Sequence, residues 1–559
     1  MLAFSFRCSW RGAGSRRNIP CRSPIDVPPD RIHRTRPLVT AAKRPNSLLI
    51  PNLYGHLDAA PSSPQPASAA SIPSSSPSAA LLRVAMIGSG YVGLVSGACF
   101  ASFANCTVTC VDSDADKIAK LHAGQLPIFE AGLDAVVRDN VAAERLHFST
   151  DLPSAVRNAD VVFIAVGTPS RRGDGHADLS YVFRASEEIG RNLRAPGYTV
   201  IVNKSTVPVG TARRVRELVS MTAPPGAAFD VVSNPEFLRQ GSAVHDFMIP
   251  ERVVIGVRRA RPATQTVPAG DGDTADTDRA VGVMRALYAP LERQRGVPVL
   301  VTSVEEAEMI KYAANAFLAT KLAFVNEMAD LCEAAHADVS MVARAMGLDA
   351  RIGMQYLQAG PGFGGSCLPK DTRALARIAQ ELSRPSRLVE TVIEGNEVRK
   401  RRVAQRIALA ALDGDQDMIR VYGKRIGVLG LTFKAHTDDV RDSPAVFIVQ
   451  ELLELGARVY AYDPQARPED VRAQLGDSIV LVSSVPEAAR DADVLAVLTE
   501  WPEFVEACTQ MGWRALRALM RRAALFDARN LWSLEEMQHS GFTYHSIGRP
   551  TVIPIAAPE

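Results

Sequence analysis

Residues 83–112 read RVAMIGSGYVGLVSGACFASFANCTVTCVD, and the order of features in this stretch decides the fold. An apolar run leads into Gly88-x-Gly90-x-x-Gly93, a helix-compatible segment follows, and a second apolar run ends at Asp112. A strand, a glycine-rich turn, a helix and a second strand with a terminal acid are typical of the start of a dinucleotide-binding α/β domain.

Each glycine has its own structural reason in this interpretation. Gly88 permits the tight turn, Gly90 lets the backbone approach a pyrophosphate, and Gly93 lets helix and strand pack closely. The helix N-terminus offers unpaired N–H groups and a positive dipole end to the phosphates. Asp112 is placed to meet the ribose hydroxyls and to repel a 2′-phosphate, which favours NAD over NADP. Lys117 either contacts the ribose or a phosphate or is a solvated helix residue. The alternative for the whole motif is a tight turn that binds no ligand.

Beyond this unit, strand-like and helical segments alternate. Apolar, β-branched runs that end in polar loops occur at 161–169, 198–208, 229–237 and 252–257. This alternation predicts a parallel, doubly wound sheet. Residues 258–279 are polar and contain Gly, Pro and Asp, which indicates an inserted surface loop.

The middle of the chain has a helical pattern, and an α/β pattern returns after it. Residues 303–346 have apolar residues at helical spacing, which predicts a helical spine throughout. From Lys424 onward strands and helices alternate again, but Gly427-Val-Leu-Gly430 departs from the dinucleotide motif. The predicted fold is therefore α/β, with two Rossmann-like, doubly wound parallel-sheet lobes joined by a long central helical segment. We expect the second lobe to bind a different nucleotide.

Composition restricts the class of protein. The chain of 559 residues is too long for one hydrophobic core, and its hydrophobic share of 47% is ordinary for a soluble globular protein. Residues 1–80 are rich in Arg, Ser and Pro and carry nine Arg and one Lys against three Asp, so we expect a disordered extension. Because the net charge of the whole chain is only +2, the remainder is net negative, and no nucleic-acid partner is expected.

The cysteines and the apolar runs bear on location. Eight cysteines without a CxxC pair, and without a His/Cys group at metal spacing, indicate reduced thiols, no metal site and a cytoplasmic protein. The uncharged run 84–111 is long enough to cross a membrane, but its Gly and Ser residues favour a buried strand–helix–strand unit instead. No membrane partner is expected.

One cysteine follows an unusual loop. Residues 360–371 read GPGFGGSCLPKD, in which four glycines within six residues precede Cys367, Lys370 and Asp371. A nearby ammonium group favours the thiolate, which is the nucleophilic form of cysteine. From these residues alone, a reactive Cys367 and a buried structural Cys367 at a loop–helix junction are equally good explanations.

Residues 82 to about 545 resemble the UDP-glucose/GDP-mannose dehydrogenase family, and many long motifs match in the family's order. The matching stretches are GSGYVGLVSGACFA (88–101), VDSDADKI (111–118), GQLPIFEAGL (124–133), VGTP (166–169), KSTVPVG (204–210), NPEFLRQGSA (234–243), AEMIKYAANAFLATKLAFVNE (307–327), RIG (351–353), GPGFGGSCLPKD (360–371), GLTFKAHTDDVRDSP (430–444) and FDARN (526–530).

The resemblance implies a two-step, four-electron oxidation of UDP-glucose with NAD as cofactor. A hydride leaves the sugar C6 alcohol, Cys367 attacks the aldehyde, the thiohemiacetal gives a second hydride, and the thioester is hydrolysed. GDP-mannose and UDP-N-acetylmannosamine are the alternative substrates for the same chemistry. Two other classes are a single-step hydroxyacid dehydrogenase, which needs no cysteine, and a non-catalytic NAD-binding sensor.

The resemblance also implies catalytic roles. Lys311 stabilises the developing alkoxide, and Asn315, four residues later on the same helix face, holds the sugar or the active water. Asp371 acts with Lys311 on the water and proton. Glu236 serves proton transfer or thioester hydrolysis, and Thr206 matches the family's catalytic threonine.

Further residues are implied to bind the two small molecules. Those assigned to the cofactor are Gly88, Gly90, Tyr91, Val92, Gly93, Asp112, Lys117, Thr168, Ser205 and Arg441. Those assigned to the substrate are Phe237, Leu238, Lys311, Asn315, Arg351, Phe363, Gly364, Lys370, Phe433, Lys434 and Arg529. Arg351 is expected to cross into a neighbouring subunit's site, which implies a homodimer or a higher homo-oligomer.

The chain departs from the family's pattern at Gln240, where many members have a second glutamate. This removes an acid from that position and leaves more of the proton transfer to Glu236. The expected segments are the extension 1–80, an NAD-binding Rossmann domain 81–300, a helical dimerisation and catalytic domain 301–415, a UDP-sugar-binding Rossmann-like domain 416–548 and a tail 549–559.

Overall fold

The computed structural model describes residues 81–171, 175–258, 273–412 and 421–554, except for the side chains of 273–277. The predicted disordered extension lies outside the described residues, as does most of the predicted loop 258–279. The end of that loop is helical, because a helix begins at Asp273. Loops and exposed helix surfaces have similar polar compositions. The sequence pattern therefore placed the end of the predicted loop too late in the chain.

The first lobe contains eight strands and eight helices within the described residues. The strands are β1 (Leu82–Ile87), β2 (Cys106–Val111), β3 (Leu146–Ser149), β4 (Val161–Ile164), β5 (Gly197–Asn203), β6 (Ala227–Ser233), β7 (Val253–Val257) and β8 (Val299–Ser303). The helices are α1 (Tyr91–Ala101), α2 (Ala115–His122), α3 (Leu133–Ala142), α4 (Leu152–Asn158), α5 (Ser180–Arg191), α6 (Thr211–Thr222), α7 (Ala243–Met248) and α8 (Asp273–Arg295). The strands form one sheet in the order β3-β2-β1-β4-β5-β6-β7-β8.

This sheet is buried on both faces, which explains why its strands read as continuous apolar runs. Val84 and Met86 of β1 pack into one apolar cluster, whereas Ala85 and Ile87 pack into another. Because successive strand residues point to opposite faces, both faces must be covered by helices. The predicted α/β fold with doubly wound sheets is confirmed.

One strand pair in the first sheet is not parallel, contrary to the prediction. Ser233 of β6 pairs with Gly256 of β7 in antiparallel orientation, and the neighbouring pairs of the sheet are parallel. An apolar run has the same pattern in either direction, so the sequence pattern did not reveal the reversal.

The central segment consists of α9 (Val304–Ala334), α10 (Val339–Gly347), α11 (Leu368–Glu381) and α12 (Arg387–Ala410). Ser303 and Glu306 form a capping box that starts α9 directly after β8. The predicted continuous spine 303–346 is interrupted between α9 and α10. His336 adopts a positive φ of 56°, and the Asp338 side chain accepts from the N–H of Ser340 to begin the next helix.

The second lobe is a smaller, parallel α/β layer. Its strands are β9 (Arg425–Leu429), β10 (Arg458–Tyr462), β11 (Val480–Leu481), β12 (Val494–Val497), β13 (Ala524–Asp527) and β14 (Thr543–Ser546), in the sheet order β11-β10-β9-β12-β13-β14. Its helices are α13 (Pro444–Glu454), α14 (Pro468–Leu475), α15 (Val485–Ala489), α16 (Pro502–Met511), α17 (Trp513–Leu519) and α18 (Leu534–Gln538).

The second lobe extends past the expected boundary at residue 548. Val552 forms a bridge with Tyr544, and Arg549 is only 4% exposed and donates from Nη2 to the Tyr544 hydroxyl at 2.6 Å. The start of the expected tail is therefore part of this lobe. In the described part of the chain, none of the helices combines the length and the apolar composition needed to span a bilayer.

Candidate active site

Lys311 and Glu236 form a buried ion pair at the centre of the site. Lys311 lies on α9 and Glu236 lies in the loop after β6, with Nζ and Oε1 3.0 Å apart. Burial lowers the pKa of Lys311, but the negative charges of Glu236, Cys367 and Asp371 raise it above its ordinary value. Burial raises the pKa of Glu236, yet the charge of Lys311 and the N–H of Leu238 hold it below its ordinary value. Both groups are therefore charged at neutral pH.

Asn315 lies one turn after Lys311 on α9 and faces the start of α11. Its Nδ2 donates to Oδ2 of the fully buried Asp371 at 2.6 Å, and Lys370 Nζ bonds the other carboxylate oxygen at 2.5 Å. Cys367 caps the N-terminus of α11, and its carbonyl accepts from the N–H of Asp371 at 2.9 Å. The side chains that were predicted to act together therefore meet at the junction of α9 and α11.

The half-buried Cys367 is a weaker acid than its sequence neighbours suggested. Burial raises the pKa of this thiol, and the charges of Glu236 and Asp371 raise it further, while those of Lys311 and Lys370 lower it. The balance lies above the ordinary value of cysteine. The expectation that Lys370 alone would favour the thiolate was incomplete, because Lys370 is paired with Asp371. A thiolate at Cys367 depends mainly on the ammonium of Lys311.

The loop after β5 brings Ser205 and Thr206 to the same junction. Ser205 Oγ donates to the carbonyl of Val166 at 2.6 Å, and Thr168 Oγ1 donates to the carbonyl of Thr206 at 3.0 Å. These bonds join the loops that follow the neighbouring strands β4 and β5. Ser205, Thr206 and Lys311 line one narrow cleft, so the carboxyl ends of the parallel strands open towards the charged side chain on α9.

The glycine turn after β1 has the geometry that a pyrophosphate needs. A methyl group at Gly90 would meet no atom within 4 Å, whereas one at Gly93 would overlap the Gly88 carbonyl oxygen. Asp112 Oδ2 accepts from the Ser89 N–H at 2.9 Å. The turn is therefore closed on the protein side and open at the N-terminus of α1, where an anion is favoured. The residues fit an NAD molecule.

Asp112 is held by neighbours on both sides. Lys117 Nζ lies 2.8 Å from Asp112 Oδ2, so Lys117 is ion-paired rather than free in solvent. Burial raises the pKa of Asp112, but the bonds from Lys117, Asp114 and Ser89 bring it below its ordinary value. Asp112 is thus ionised at neutral pH and available to a ribose.

The first turn of α1 connects the cofactor motif with another loop. The Tyr91 hydroxyl donates to Glu130, and Val92, its neighbour in the motif, is half-buried. Glu130 is itself buried and accepts from the N–H groups of Gly241 and Ala243, both at 2.7 Å. The loop that carries Glu130 thereby joins the cofactor motif to the loop after β6.

We expect alanine at Gly90 and alanine at Gly93 to have different effects. Gly90→Ala should leave the melting temperature nearly unchanged and weaken NAD binding by about tenfold or more, because the methyl group enters only the space of the ligand. Gly93→Ala should lower the melting temperature as well, because its methyl group overlaps backbone. Calorimetric titration with NAD and thermal unfolding check this, and equal affinity in Gly90→Ala would contradict the assignment.

The second lobe closes over the glycine loop that precedes Cys367. Gly365 has a φ of +83°, and a methyl group there would lie 2.8 Å from the ring of Phe433. A methyl group at Gly364 would lie 2.3 Å from the carbonyl oxygen of Asp442, just before α13. Arg529 donates from Nη2 to the Phe433 carbonyl at 3.0 Å, and burial lowers the pKa of Lys434. Phe433, Lys434 and Arg529 are therefore gathered beside the glycine loop.

Several predicted residues lie outside the charged cluster. Phe363 is 5% exposed and packs in an apolar cluster with α9 and α12 residues. Leu238 packs against the core of the first lobe, and the Phe237 ring lies 3.9 Å from the Arg252 guanidinium and 5.5 Å from Lys311 Nζ. Arg351 is exposed and paired with a neighbouring aspartate 2.6 Å away. Its expected position across a subunit interface stays a prediction.

Lys204, Glu308 and Glu130 are among the buried ionisable residues that the sequence analysis did not single out. Lys204 donates to Asn234 Oδ1 at 3.0 Å, and burial lowers its pKa to about 8. Glu308 accepts from the N–H groups of Gly210 and Ala212 at the start of α6. Glu130, which holds the loop after β6, is the third. All three lie within the sequence stretches that resemble the family. A single sequence, however, does not show whether a charged residue is buried.

The chain matches family models along most of its length. Residues 82–268 match the NAD binding domain of the UDP-glucose/GDP-mannose dehydrogenase family, residues 305–398 match its central domain and residues 427–534 match its UDP binding domain. The cofactor motif, the junction of α9 and α11, and Phe433 each fall within one of these ranges.

Curated relatives are similar over nearly their whole length. The chain is 50% identical over 469 residues to a UDP-glucose 6-dehydrogenase of Rhizobium meliloti (strain 1021), covering 84% of this chain and 100% of the relative. It is 47% identical over 470 residues to the UDP-glucose 6-dehydrogenase TuaD of Bacillus subtilis (strain 168), covering 84% and 94%.

Two solved structures are also similar to this chain. A UDP-glucose dehydrogenase from the hyperthermophilic archaeon Pyrobaculum islandicum superposes with a TM-score of 0.71 at 37% identity, covering 82% of this chain and 96% of that one. A UDP-D-ManNAc dehydrogenase from Pyrococcus horikoshii superposes with a TM-score of 0.69 at 25% identity, covering 84% and 99%.

Proposed function

The chain belongs to the UDP-glucose/GDP-mannose dehydrogenase family, and from this premise we propose that it oxidises the C6 alcohol of UDP-glucose to a carboxylate in two steps. The observation that carries the proposal is the half-buried Cys367 within the charge cluster of Lys311, Glu236 and Asp371. A single oxidation of an alcohol needs no nucleophile, whereas oxidation of an aldehyde to an acid does need one.

The enzyme is an NAD-dependent oxidoreductase, and its first lobe is the family's NAD binding domain. NAD accepts hydride when it is bound. We propose that Gly88, Gly90 and Gly93 receive its pyrophosphate and that Asp112 binds a ribose. Thr168 and Ser205, in the loops after β4 and β5, contact the nicotinamide half, since ligands bind at the carboxyl ends of such strands.

Lys311 stabilises the first step in this proposal. Its ammonium is buried and fixed by Glu236 at 3.0 Å, so it presents a positive charge that needs no rearrangement when an alkoxide develops on C6. Thr206, on the cleft shared with Lys311, helps to place the hydroxyl that is oxidised. The hydride and the hydroxyl proton leave C6–OH, and an aldehyde remains.

Cys367 performs the second half of the proposed reaction. Its sulfur bonds to the aldehyde carbon and gives a thiohemiacetal, which loses a second hydride and becomes a thioester. One water is then consumed, the C–S bond breaks, and the acid and the free thiol form. Asn315 and Asp371 lie 2.6 Å apart beside Lys311 and hold this water, and Glu236 takes its proton.

The second lobe supplies most of the proposed nucleotide-sugar site. Phe433, Lys434 and Arg529 lie beside the glycine loop, where they bind the UDP part, while Lys370 and Gly364 contact the sugar. We propose that Arg351 completes the site of a second subunit in a homodimer or larger homo-oligomer, and that the enzyme works in the cytoplasm. We propose limits of 81–300 and 301–415 for the first two domains, and a third domain that begins at residue 416 and continues past residue 548 to include Val552.

A stoichiometric assay tests the proposal. UDP-glucose, GDP-mannose and UDP-N-acetylmannosamine should be supplied in turn, and the NADH formed per sugar consumed should be counted. We expect UDP-glucose to have the highest kcat/KM and to yield two NADH. A yield of one NADH would show that the enzyme stops at the aldehyde. A higher kcat/KM with GDP-mannose or UDP-N-acetylmannosamine would make that nucleotide sugar the substrate in place of UDP-glucose.

A further inference from the structure

Buried side chains hold the backbone of the glycine loop that leads to Cys367. Residues 360–366 lie outside the helices and strands, between α10 and α11. Phe363, in the middle of this loop, donates its N–H to Oδ1 of Asn396 at 2.8 Å, and its carbonyl accepts from Nδ2 of the same side chain at 3.0 Å. Asn396 lies on α12 and is only 5% exposed. One amide side chain thus satisfies both backbone polar groups of Phe363.

The start of the same loop is held in a similar way. The N–H of Gly360 donates to Oδ1 of Asn326 on α9 at 2.8 Å, and the Gly360 carbonyl accepts from Nε of Arg399 on α12 at 3.1 Å. Both side chains are buried. Buried backbone groups need hydrogen-bonding partners, and a loop has no helical or sheet pattern to supply them. The side chains of Asn326, Asn396 and Arg399 therefore determine where the loop lies.

The loop passes too close to its neighbours for side chains at several positions. Gly362 adopts a φ of +126°, and a methyl group there would lie 2.9 Å from Oδ1 of Asn396. On the other side of the loop, methyl groups at Gly364 and Gly365 would overlap atoms of the second lobe. The loop is therefore clamped between α12 and the second lobe, and Asn396 is the contact on the α12 side.

The anchor at Phe363 lies close to the nucleophile along the chain. The Phe363 ring packs in an apolar cluster with residues of α9 and α12, and Leu368, directly after Cys367, packs against the same cluster. Two of the three residues between Phe363 and Cys367 are glycines, which restrict the backbone least. The position of Cys367 therefore depends on anchors on both sides of these glycines, and Asn396 supplies the one at Phe363.

We propose that Asn396 is a positioning residue for Cys367. Its two bonds to Phe363 fix the middle of the glycine loop, and through the loop they fix the thiol at the start of α11. The effect on turnover rests on the proposed function, whereas the effect on the reactivity of the thiol does not.

Alkylation of Cys367 tests the position of the loop without a sugar substrate. Asn396→Ala removes both bonds, and Asn396→Asp keeps the size of the side chain and the acceptor but loses the donor to the Phe363 carbonyl. Iodoacetamide should modify Cys367 about threefold faster or more in both variants, because a half-buried thiol becomes exposed when its loop opens locally. Mass spectrometry of the Cys367 peptide measures the rate.

Asn140→Ala is the matched control for loss of a buried amide. Asn140 lies on α3 of the first lobe, is 2% exposed, and donates to the Val136 carbonyl at 2.8 Å. Its loss should lower the melting temperature and leave the alkylation rate of Cys367 unchanged. The comparison separates a general loss of stability from a displaced loop.

Turnover provides the second readout. In Asn396→Ala and Asn396→Asp, kcat with UDP-glucose should fall by about tenfold or more, because a misplaced reacting group slows the reaction. The Kd for NAD, measured by calorimetry, should stay within about twofold of the wild type, since the cofactor motif lies in the first lobe.

A wild-type alkylation rate in folded Asn396→Asp would overturn the proposal, and so would an equal acceleration in Asn140→Ala. If the wild type oxidises no nucleotide sugar, the proposed function fails, while the alkylation series still decides on Asn396.

Discussion

Serine in place of Cys367 is expected to leave the protein folded and to abolish the formation of sugar acid. A hydroxyl is a far weaker acid than a thiol, and the Lys311 ammonium, which supports a thiolate in this site, cannot ionise it. We expect the steady-state rate of NADH formation to fall by about 10³-fold or more, at the lower end of what removal of a catalytic nucleophile costs. Any first-step product should be trapped as an aldehyde by a hydroxylamine reagent.

Cys332→Ser is the matched control, because Cys332 is a buried cysteine on α9 with no position in the charge cluster. This variant should keep wild-type turnover. Full turnover in Cys367→Ser would instead place the enzyme among single-step hydroxyacid dehydrogenases, and the absence of NADH formation in the wild type would favour an NAD-binding sensor. The yield of two NADH per sugar and the cysteine variant thus test the same nucleophile in different ways.

The cofactor half of the site was predictable because its signal is local. Gly88, Gly90, Gly93 and Asp112 lie within one strand–helix–strand unit. A methyl group at Gly88 or Gly93 would meet atoms of that unit or of the end of the adjacent strand, whereas Gly90 faces open space. The reversal of β7 has no such signal. Its residues are buried on both faces, and a run of buried apolar residues has the same sequence pattern in either direction.

The spatial grouping of the candidate catalytic residues was predictable from the sequence, but the pKa of Cys367 was not. Lys311 and Asn315 share a helix face, and their positions relative to Cys367 followed from the resemblance. The raised pKa of Cys367 did not follow, because it comes first from burial of the thiol and then from the charge of Glu236, which is distant in the sequence.

The break between α9 and α10 could not be predicted from the sequence pattern either. The segment between α9 and α10 contains residues that are compatible with a helix, and only the positive φ of His336 and the cap at Asp338 end the run. A local conformation set by packing against the second lobe, where Gly548 accepts from the N–H of Val339, is not encoded in the helical period.

Methionine in place of Lys311 should reduce kcat by about 10²- to 10³-fold, the usual range for removing one electrostatic stabiliser of a developing oxyanion. Methionine keeps the length and the apolar stem and removes only the charge. Lys311 lowers the pKa of both Glu236 and Cys367, so its loss should raise both pKa values. The pH profile of Cys367 alkylation should therefore move to higher pH, and alkylation at pH 7 should be slower than in the wild type.

The direction of this shift separates a catalytic charge from a structural one. Lys424→Met removes an ion-paired lysine in the second lobe, 3.5 Å from Asp493, and should leave both kcat and the alkylation profile unchanged. A shift to lower pH in Lys311→Met would contradict the assignment, because it would mean that the Lys311 ammonium does not stabilise the thiolate of Cys367. A rise in KM at constant kcat would assign Lys311 to ground-state binding, since a group that stabilises only the transition state must lower kcat when it is removed.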